Sequence, residues 1–503
     1  LKIVTAKEMY EVDRIAMEEK GLHGCILMEN AGRSIAEKVK KHTSKSSKII
    51  VLVGSGNNGG DGFVIARTLF NQGYLIEVIQ LVTNDQIKGD ALYHKNVFEQ
   101  YSGIVHPYSM ASHTLIAEAD VIVDAMLGIG VNGKTRYPYN EIITSVNASQ
   151  NLIISVDIPS GVPSENDLDF EVAIKADYTC VIEAPKLSAF VTGYASYYGE
   201  WEVISIGLPV DAFEQVQERR TWDQCDVKAT LPKRDRFAHK GSHGKGLIIG
   251  GSRLMPGSVT MTAKAALRAG TGLLTIGTKK DAIPSIASQC AEATFIDLTA
   301  EGGWIGAENV IKDSNYDVIA IGMGMGREKA TCEFTKQVLR EAKVPVLVDA
   351  DGLSHIQDDL TILQSRSYPT ILTPHPGEMA MLLNCSIAEV VAAPFKVAKE
   401  FAEKYHLHLV LKGTYSIVTD PSGNQWVNTT GNQGLAKGGS GDCLSGIILA
   451  MIMQDQTISE ALSNSCYIHG KSADLLVEDS HSTYDLLATD VIEGIPFVFR
   501  AFS

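Results

Sequence analysis

The chain has 503 residues, 45% of them hydrophobic and 20% charged, with a formal net charge of −15. That acidic balance argues against a nucleic-acid or membrane-surface binder. No stretch reaches the roughly 18 consecutive apolar residues that a membrane-spanning helix needs, so no membrane partner is expected.

The length suggests about two to four domains, and the apolar content can give each a core. The opening LKIVTAKEMYEVDR is charged early and has no apolar h-region, so no signal peptide is expected. Strand-like runs follow at KIIVLV, LIEVIQLV, DVIVDAML, LIISVDI, YTCVIEA and WEVISI. Near-continuous apolar runs of this kind fit strands buried on both faces. RSIAEKVKKH, FVIARTLFNQG and LYHKNVFEQY read as helices between them. The alternation predicts a Rossmann-like, doubly wound α/β domain over 1–213. The pattern lapses over 208–230, a charged stretch without a clear strand, where the boundary is expected. A second α/β domain over 225–503 then runs through GKGLIIGGS, GLLTIGT, YDVIAIGMGMG, VPVLVDADG, PTILTPHPG and LHLVLKGTYSIVTD. Eight dispersed cysteines, none in a C-x-x-C pair, read as reduced thiols of a cytoplasmic protein.

The stretch GSGNNGGDG at 54–62 meets the dinucleotide-binding spacing, with Gly54, Gly56 and Gly59 after a strand and Glu77 about 20 residues on. Two details oppose that reading. Asp61 stands at the helix opening, where a pyrophosphate needs bare N–H groups. Glu77 lies inside a strand-like run. Asn57, Asn58 and Asp61 instead offer side-chain oxygens for hydroxyls, an amide or a cation.

Ligands of open α/β sheets bind beyond the carboxyl ends of the strands. Those ends carry Asp124 followed by LGIGVNG at 127–133, Asp157 followed by Ser160, and Lys186. Taken singly, Asp124 and Asp157 also fit loop caps; their shared position favours a site. Asn58, Asp124 and Ser160 form an all-oxygen set with one carboxylate, which suits K⁺ better than a transition metal.

In the second half, GGSGD at 438–442 opens an apolar helix. Its N–H groups suit a transferring phosphoryl group, and Asp442 suits the general base toward a substrate hydroxyl. A plain N-cap would not need Gly438, Gly439 and Gly441 together. KGTYS at 412–416 follows a strand and suits a nucleotide's phosphate or ribose. TPHPGE places His375 at a rim, VDADGL places Asp349 and Asp351 at another, and MGMG at 323–326 permits close backbone approach. No Walker A sequence is present, so a nucleotide is not held in the P-loop manner.

The order NAGRSIAEKV, GSGNNGGDG, DAMLGIG, VDIPSG resembles the NAD(P)H-hydrate epimerase, or YjeF N-terminal, domain. The order HKGSHGKGLIIGGS, IGMGMG, VDADGL, TPHPGE, LKGTYSIV, TGNQGLAKGGSGD resembles the ribokinase-like, ADP/ATP-dependent NAD(P)H-hydrate dehydratase domain. Together they resemble the prokaryotic family of bifunctional NAD(P)H-hydrate repair enzymes. The resemblance implies epimerisation of the R and S hydrates (NADHX and NADPHX). It also implies dehydration of the S form with ADP and Mg²⁺, giving AMP and phosphate. Carried over by position, it assigns hydrate contacts to Asn57, Asn58, Gly59, Gly60, Asp61, to Gly128, Ile129, Gly130, Val131, Asn132, Gly133, Lys134 and to Asp157. K⁺ would fall to Asn58, Asp124 and Ser160, and epimerase acid/base work to Asp157 and Lys186. In the dehydratase, Lys412, Gly413, Thr414, Tyr415, Ser416 and Gly441 would bind ADP, and Gly324, His375 and catalytic Asp442 would face the hydrate. A homo-oligomer is also implied. Lys437 departs from the family's usual small or hydroxyl residue, and MGMG lacks its usual proline. A small-molecule kinase, which shares GSGD, and a non-catalytic binding role for the first half remain the rival readings.

Overall fold

The apolar runs of the first half become β1 (Lys48–Val53), β2 (Leu75–Gln80), β3 (Val105–Pro107), β4 (Val121–Ala125), β5 (Leu152–Val156), β6 (Tyr178–Ile182) and β7 (Glu200–Ile204). The structure, a computed structural model, describes residues 1–130, 133–165, 171–300, 303–306, 308–309 and 311–502. Strand order is β3-β2-β1-β4-β5-β6-β7, parallel throughout. Alternate residues of β1 serve two cores. Ile49, Val51 and Val53 pack with Ile35, Val39 and Phe63, whereas Ile50 and Leu52 pack with Ile142, Ile143 and Val146. A strand covered on both faces must be apolar at every position, which is why KIIVLV reads as one run. The order reverses between β1 and β4, so a crevice opens beyond their carboxyl ends.

Four helices shape that crevice: α1 (Ala6–Arg14), α2 (Gly24–Val39), α3 (Asn57–Asn71) and α4 (Gly89–Gln100). Thr5 starts α1 through a capping box with Glu8.

The chain divides into two units, Leu1–Glu218 and Arg219–Ser503. The second contains β8 (Arg219–Trp222), β9 (Lys245–Ile249), β10 (Leu273–Thr278), β11 (Thr294–Asp297), β12 (Val318–Ile321), β13 (Val346–Val348), β14 (Thr370–Leu372), β15 (His408–Leu411), β16 (Ser416–Thr419) and β17 (Gln425–Asn428). They form one sheet in the order β11-β10-β9-β12-β13-β14-β15-β16-β17-β8, in which only β16 runs antiparallel to its neighbours.

The boundary stretch differs from expectation. It does contain a strand, β8, which pairs with β17 from Arg219↔Gln425 to Trp222↔Asn428. The second unit therefore begins ahead of residue 225. RRTW has no apolar run, because β8 is an edge strand with one neighbour. Its anchor is Trp222, which is buried and donates from Nε1 to Asn464 Oδ1 at 2.9 Å. No helix among the described residues is long and apolar enough to cross a membrane.

Candidate active sites

At the end of β1 the chain turns directly into α3, capped at Gly56. The turn is tight enough to exclude side chains. A Cβ on Gly59 would lie 2.3 Å from the Gly54 carbonyl oxygen, and one on Gly54 would lie 2.0 Å from that of Met126. A Cβ on Gly60 would meet Met28 Sδ at 2.4 Å. Gly59 is thus a packing glycine, and neither it nor Gly60 lines the cavity, in contrast to the expected hydrate contacts there. Asn57, Asn58 and Asp61 do line it, together with Gly128, Ile129, Gly130, Asp157 and Lys186, around a volume of about 430 Å³. Gly133 and Lys134 are not among its lining residues, and Lys134 pairs with Glu171 on the surface. Val131 and Asn132 lie outside the described residues.

Asp124 at the end of β4 is fully buried. Its oxygens accept from Ser155 Oγ and Ser160 N, both at 2.8 Å, from Ser160 Oγ, and from Met126 N at 3.3 Å. Burial still pushes its carboxyl up, because these donors are neutral and no cation among the described residues pairs with it. Asn58 Nδ2 donates to the Leu127 carbonyl at 2.9 Å, and Ser160 Oγ lies 3.3 Å from the same oxygen. The structure thus brings Asn58 and Ser160 to one carbonyl, with Asp124 joined to them through Ser160.

Asp157 follows β5 at φ 65°, a left-handed conformation that costs a non-glycine residue energy and marks functional turns. Lys186 Nζ and Ile182 N (3.0 Å) both donate to its Oδ1. Lys186 is only 1% exposed, and its Nζ also donates to the Ile182 carbonyl at 3.2 Å. Both groups line the cavity, so the acid/base candidates form an ion pair there.

Two further carboxylates crowd this pair. Burial and the charges of Asp157 and Asp13 push Asp61 well above the usual carboxylate range. Asp13, from α1, is pushed up to about 6 by burial, against the pull of Lys186. The sequence does not mark Asp13, because α1 carries several acidic residues and nothing in their spacing singles one out.

In the second unit, the helix Ser440–Ile452 starts at Gly439, whose φ of 94° suits glycine. Its first backward bond is Cys443 N to Gly439 O at 3.0 Å, so the Gly441 and Asp442 N–H groups precede the helix ladder. Asp442 accepts from Ser258 Oγ at 2.6 Å, and burial pushes its carboxyl up to about 6. Gly324 stands beside the same serine: a Cβ there would lie 3.0 Å from Ser258 Cβ. Lys412 Nζ pairs with Asp349 Oδ1 at 2.9 Å and lies 3.8 Å from Glu378. Burial alone would lower the lysine, but these two carboxylates outweigh it and hold it above its ordinary value. A Cβ on Gly441 would lie 3.3 Å from Lys412 Nζ, so the ammonium sits under the helix start.

A cavity of about 770 Å³ joins Lys412, Gly413, Thr414, Ser416 and Gly441, as expected of a nucleotide site. Tyr415 is not among its lining residues. His375 is, so the structure groups it with the nucleotide residues and not with Gly324, Ser258 and Asp442. His375 is 57% exposed, and its Nδ1 caps a helix by accepting from Gly377 N and Glu378 N. Lys437 lines the cavity but donates to the Tyr484 carbonyl at 2.6 Å. Asp351 accepts from Gly326 N and Arg327 Nε, securing the MGMG turn. The buried His469, which no sequence signal marked, lies on the wall with Nε2 3.3 Å from Ser440 Oγ. Burial pushes it down to about 4, which keeps it neutral.

Residues 24–188 match the family described as YjeF-related protein N-terminus, and residues 246–496 match NAD(P)H-hydrate dehydratase. The chain is 33% identical over 512 residues to the bifunctional NAD(P)H-hydrate repair enzyme of Moorella thermoacetica, covering 99% of this chain and 96% of that protein. It is 32% identical to the enzyme of the same description from Escherichia coli, covering 97% and 92%. Among solved structures, the ADP/ATP-dependent NAD(P)H-hydrate dehydratase of Bacillus subtilis, co-crystallised with ATP/Mg²⁺, is 36% identical with a TM-score of 0.51. That likeness covers 56% of this chain and 99% of that one.

Proposed function

Since the chain belongs to the family of bifunctional NAD(P)H-hydrate repair enzymes, we propose that the first cavity epimerises the hydrates and the second dehydrates the S form with ADP. The buried Asp157–Lys186 pair supports the first assignment. Inversion at the carbon bearing the hydroxyl requires proton transfer, and this pair places a mobile proton at the cavity wall. Asn57, Asn58 and Asp61 offer hydrogen bonds to the damaged nicotinamide and its ribose. Asn58, Asp124 and Ser160 fit K⁺, because a fully buried carboxylate without a cationic partner is costly and their donors are all oxygen. When bound, K⁺ supplies the positive charge this carboxylate lacks.

In the second unit the single observation that carries the reading is Asp442, held by Ser258 at a glycine-rich helix start. Asp442 takes the proton of the hydrate's hydroxyl as that oxygen attacks the terminal phosphoryl of ADP. The Gly441 and Asp442 N–H groups and Lys412 stabilise the charge that develops there. Mg²⁺ entering with the nucleotide would neutralise phosphate charge, with Glu378, 3.8 Å from Lys412 Nζ, a carboxylate that would share it. AMP departs. The ring nitrogen's electron pair then expels the phosphate, and loss of a proton from the adjacent carbon restores NAD(P)H.

Buried unpaired thiols such as Cys180, Cys290 and Cys466 support a cytoplasmic site, and a homo-oligomer is the expected assembly. The test of the dehydratase assignment is product stoichiometry from the S hydrate. One AMP and one phosphate per reduced nicotinamide support it; a stable phosphorylated hydrate with no reduced nicotinamide would make the unit a kinase.

A further inference from the structure

Asp13, a carboxylate lining the first cavity, has no place in these assignments. Tyr10 and Asp13 on α1, with Met17 just beyond it, recur at helical spacing and line the cavity. The other face of this segment, Val12 and Ala16, packs in one core cluster with Leu27, Ala31 and Ala184. The approach to α1 is tied to the lysine: Val4 bridges Lys186 in parallel and donates to the Pro185 carbonyl at 3.0 Å. Asp13 is therefore presented by an element held in fixed relation to Lys186. Its carboxylate accepts no hydrogen bond from the described residues. Neither does Asp61, which is 7% exposed and lines the same cavity. Asp61 is buried and Asp13 half-buried; carboxylates withdrawn from water without partners are costly and are kept where a ligand completes them.

We propose that Asp13 is a second catalytic residue of the epimerase, exchanging a proton on the α1 side of the cavity while the Lys186–Asp157 pair serves the side built from β5 and β6. This rests on the epimerase assignment above. The Lys186 ammonium gives a proton to the substrate hydroxyl, the C–O bond breaks as the ring nitrogen forms C=N⁺, and water leaves. A water on the α1 side adds to that carbon and gives its proton to the Asp13 carboxylate. One proton is given and one taken, one water leaves and one enters, and the reverse epimerisation exchanges the roles. Asp61, whose carboxyl is pushed up by burial and by the charges of Asp157 and Asp13, stands beside them. The charged or titratable groups facing Asp13 are Tyr10 on its own helix, Lys186, Asp157, Glu183 and Asp61.

The test follows R and S hydrate directly by chromatography, in the full chain and without nucleotide, so that the dehydratase cannot contribute. Asp13→Asn is expected to lower kcat for epimerisation about 100-fold or more, with KM little changed. Asp13→Glu is expected to regain part of that rate. In the wild type kcat falls as pH drops through about 6, and in Asp13→Asn that limb is absent. An Asp13→Asn enzyme within about 3-fold of wild type would overturn the proposal, as would a wild-type rate indifferent to pH through that range. Equal loss in both variants with a raised KM would also overturn it and leave Asp13 a structural residue. A wild type that never interconverts the hydrates would instead sink the epimerase assignment itself.

Discussion

Lys412 Nζ lies 2.9 Å from Asp349 Oδ1, and Ser445 Oγ, from inside the helix that carries Asp442, donates to the other oxygen of Asp349 at 2.6 Å. The three residues tie the strand end after β13, the strand end after β15 and the phosphoryl-binding helix into one buried network. Replacing Lys412 by Met leaves a buried, uncompensated carboxylate. The expected loss is about 3 kcal/mol or more in the second unit, read as a lowered Tm, together with loss of dehydration. Burial raises the Asp349 carboxyl, but Lys412 and Ser445 outweigh it and hold it below its ordinary value. A depressed folded pKa contributes stability above the unfolded carboxylate range and loses it as pH falls through the folded value. The second unit is therefore expected to weaken in acid, and Asp349→Asn should flatten that dependence.

Asp442 has the opposite sign. Its carboxyl is raised to about 6, so its charged form is disfavoured by folding. It withdraws stability as pH climbs from the ordinary range through about 6. Asp442→Asn is expected to lower dehydratase kcat by about 10³-fold yet raise Tm by roughly 2 °C or more at neutral pH. In the wild type, dehydration of the S hydrate should decline as pH drops through about 6. Calorimetry and a pH–rate profile check both halves.

Lys186→Ala leaves Asp157 buried in a left-handed turn without its partner. Epimerisation is expected to fall about 10²-fold or more while dehydration of the S hydrate continues. Parallel assays of the two activities distinguish this from general unfolding.

Asp124→Asn removes the one formal charge of the oxygen set at Leu127. Epimerase activity is expected to lose its response to K⁺, measured by titrating KCl into a Na⁺ buffer at constant ionic strength. Ser160→Ala should shift the same titration to higher K⁺.

Much of this is legible in the sequence because strand ends announce themselves. KIIVLV, DVIVDA and LIISV are nearly continuous apolar runs, so their pattern alone places Asn58, Asp124, Asp157 and Ser160 on one rim. What stays hidden has no such pattern. β8 is RRTW, legible only through its pairing with β17. Gly59 and Gly60 resemble ligand-contacting glycines, yet Gly59 is packed against the Gly54 backbone and Gly60 against the Met28 side chain. Asp13 is separated from Asp157 by most of the first unit and meets it only when α1 folds over the sheet. His469 lies mid-helix among buried residues and shows its place at the nucleotide cavity only in three dimensions.

Joint action of both cavities on one damaged cofactor is read from recovery of reduced-nicotinamide absorbance from a mixture of R and S NADH hydrate, supplied with ADP, Mg²⁺ and K⁺. Recovery is expected to be complete, with the R fraction returning well above its spontaneous rate. Rapid recovery of the S fraction alone, with the R fraction returning only at the spontaneous rate, would contradict it.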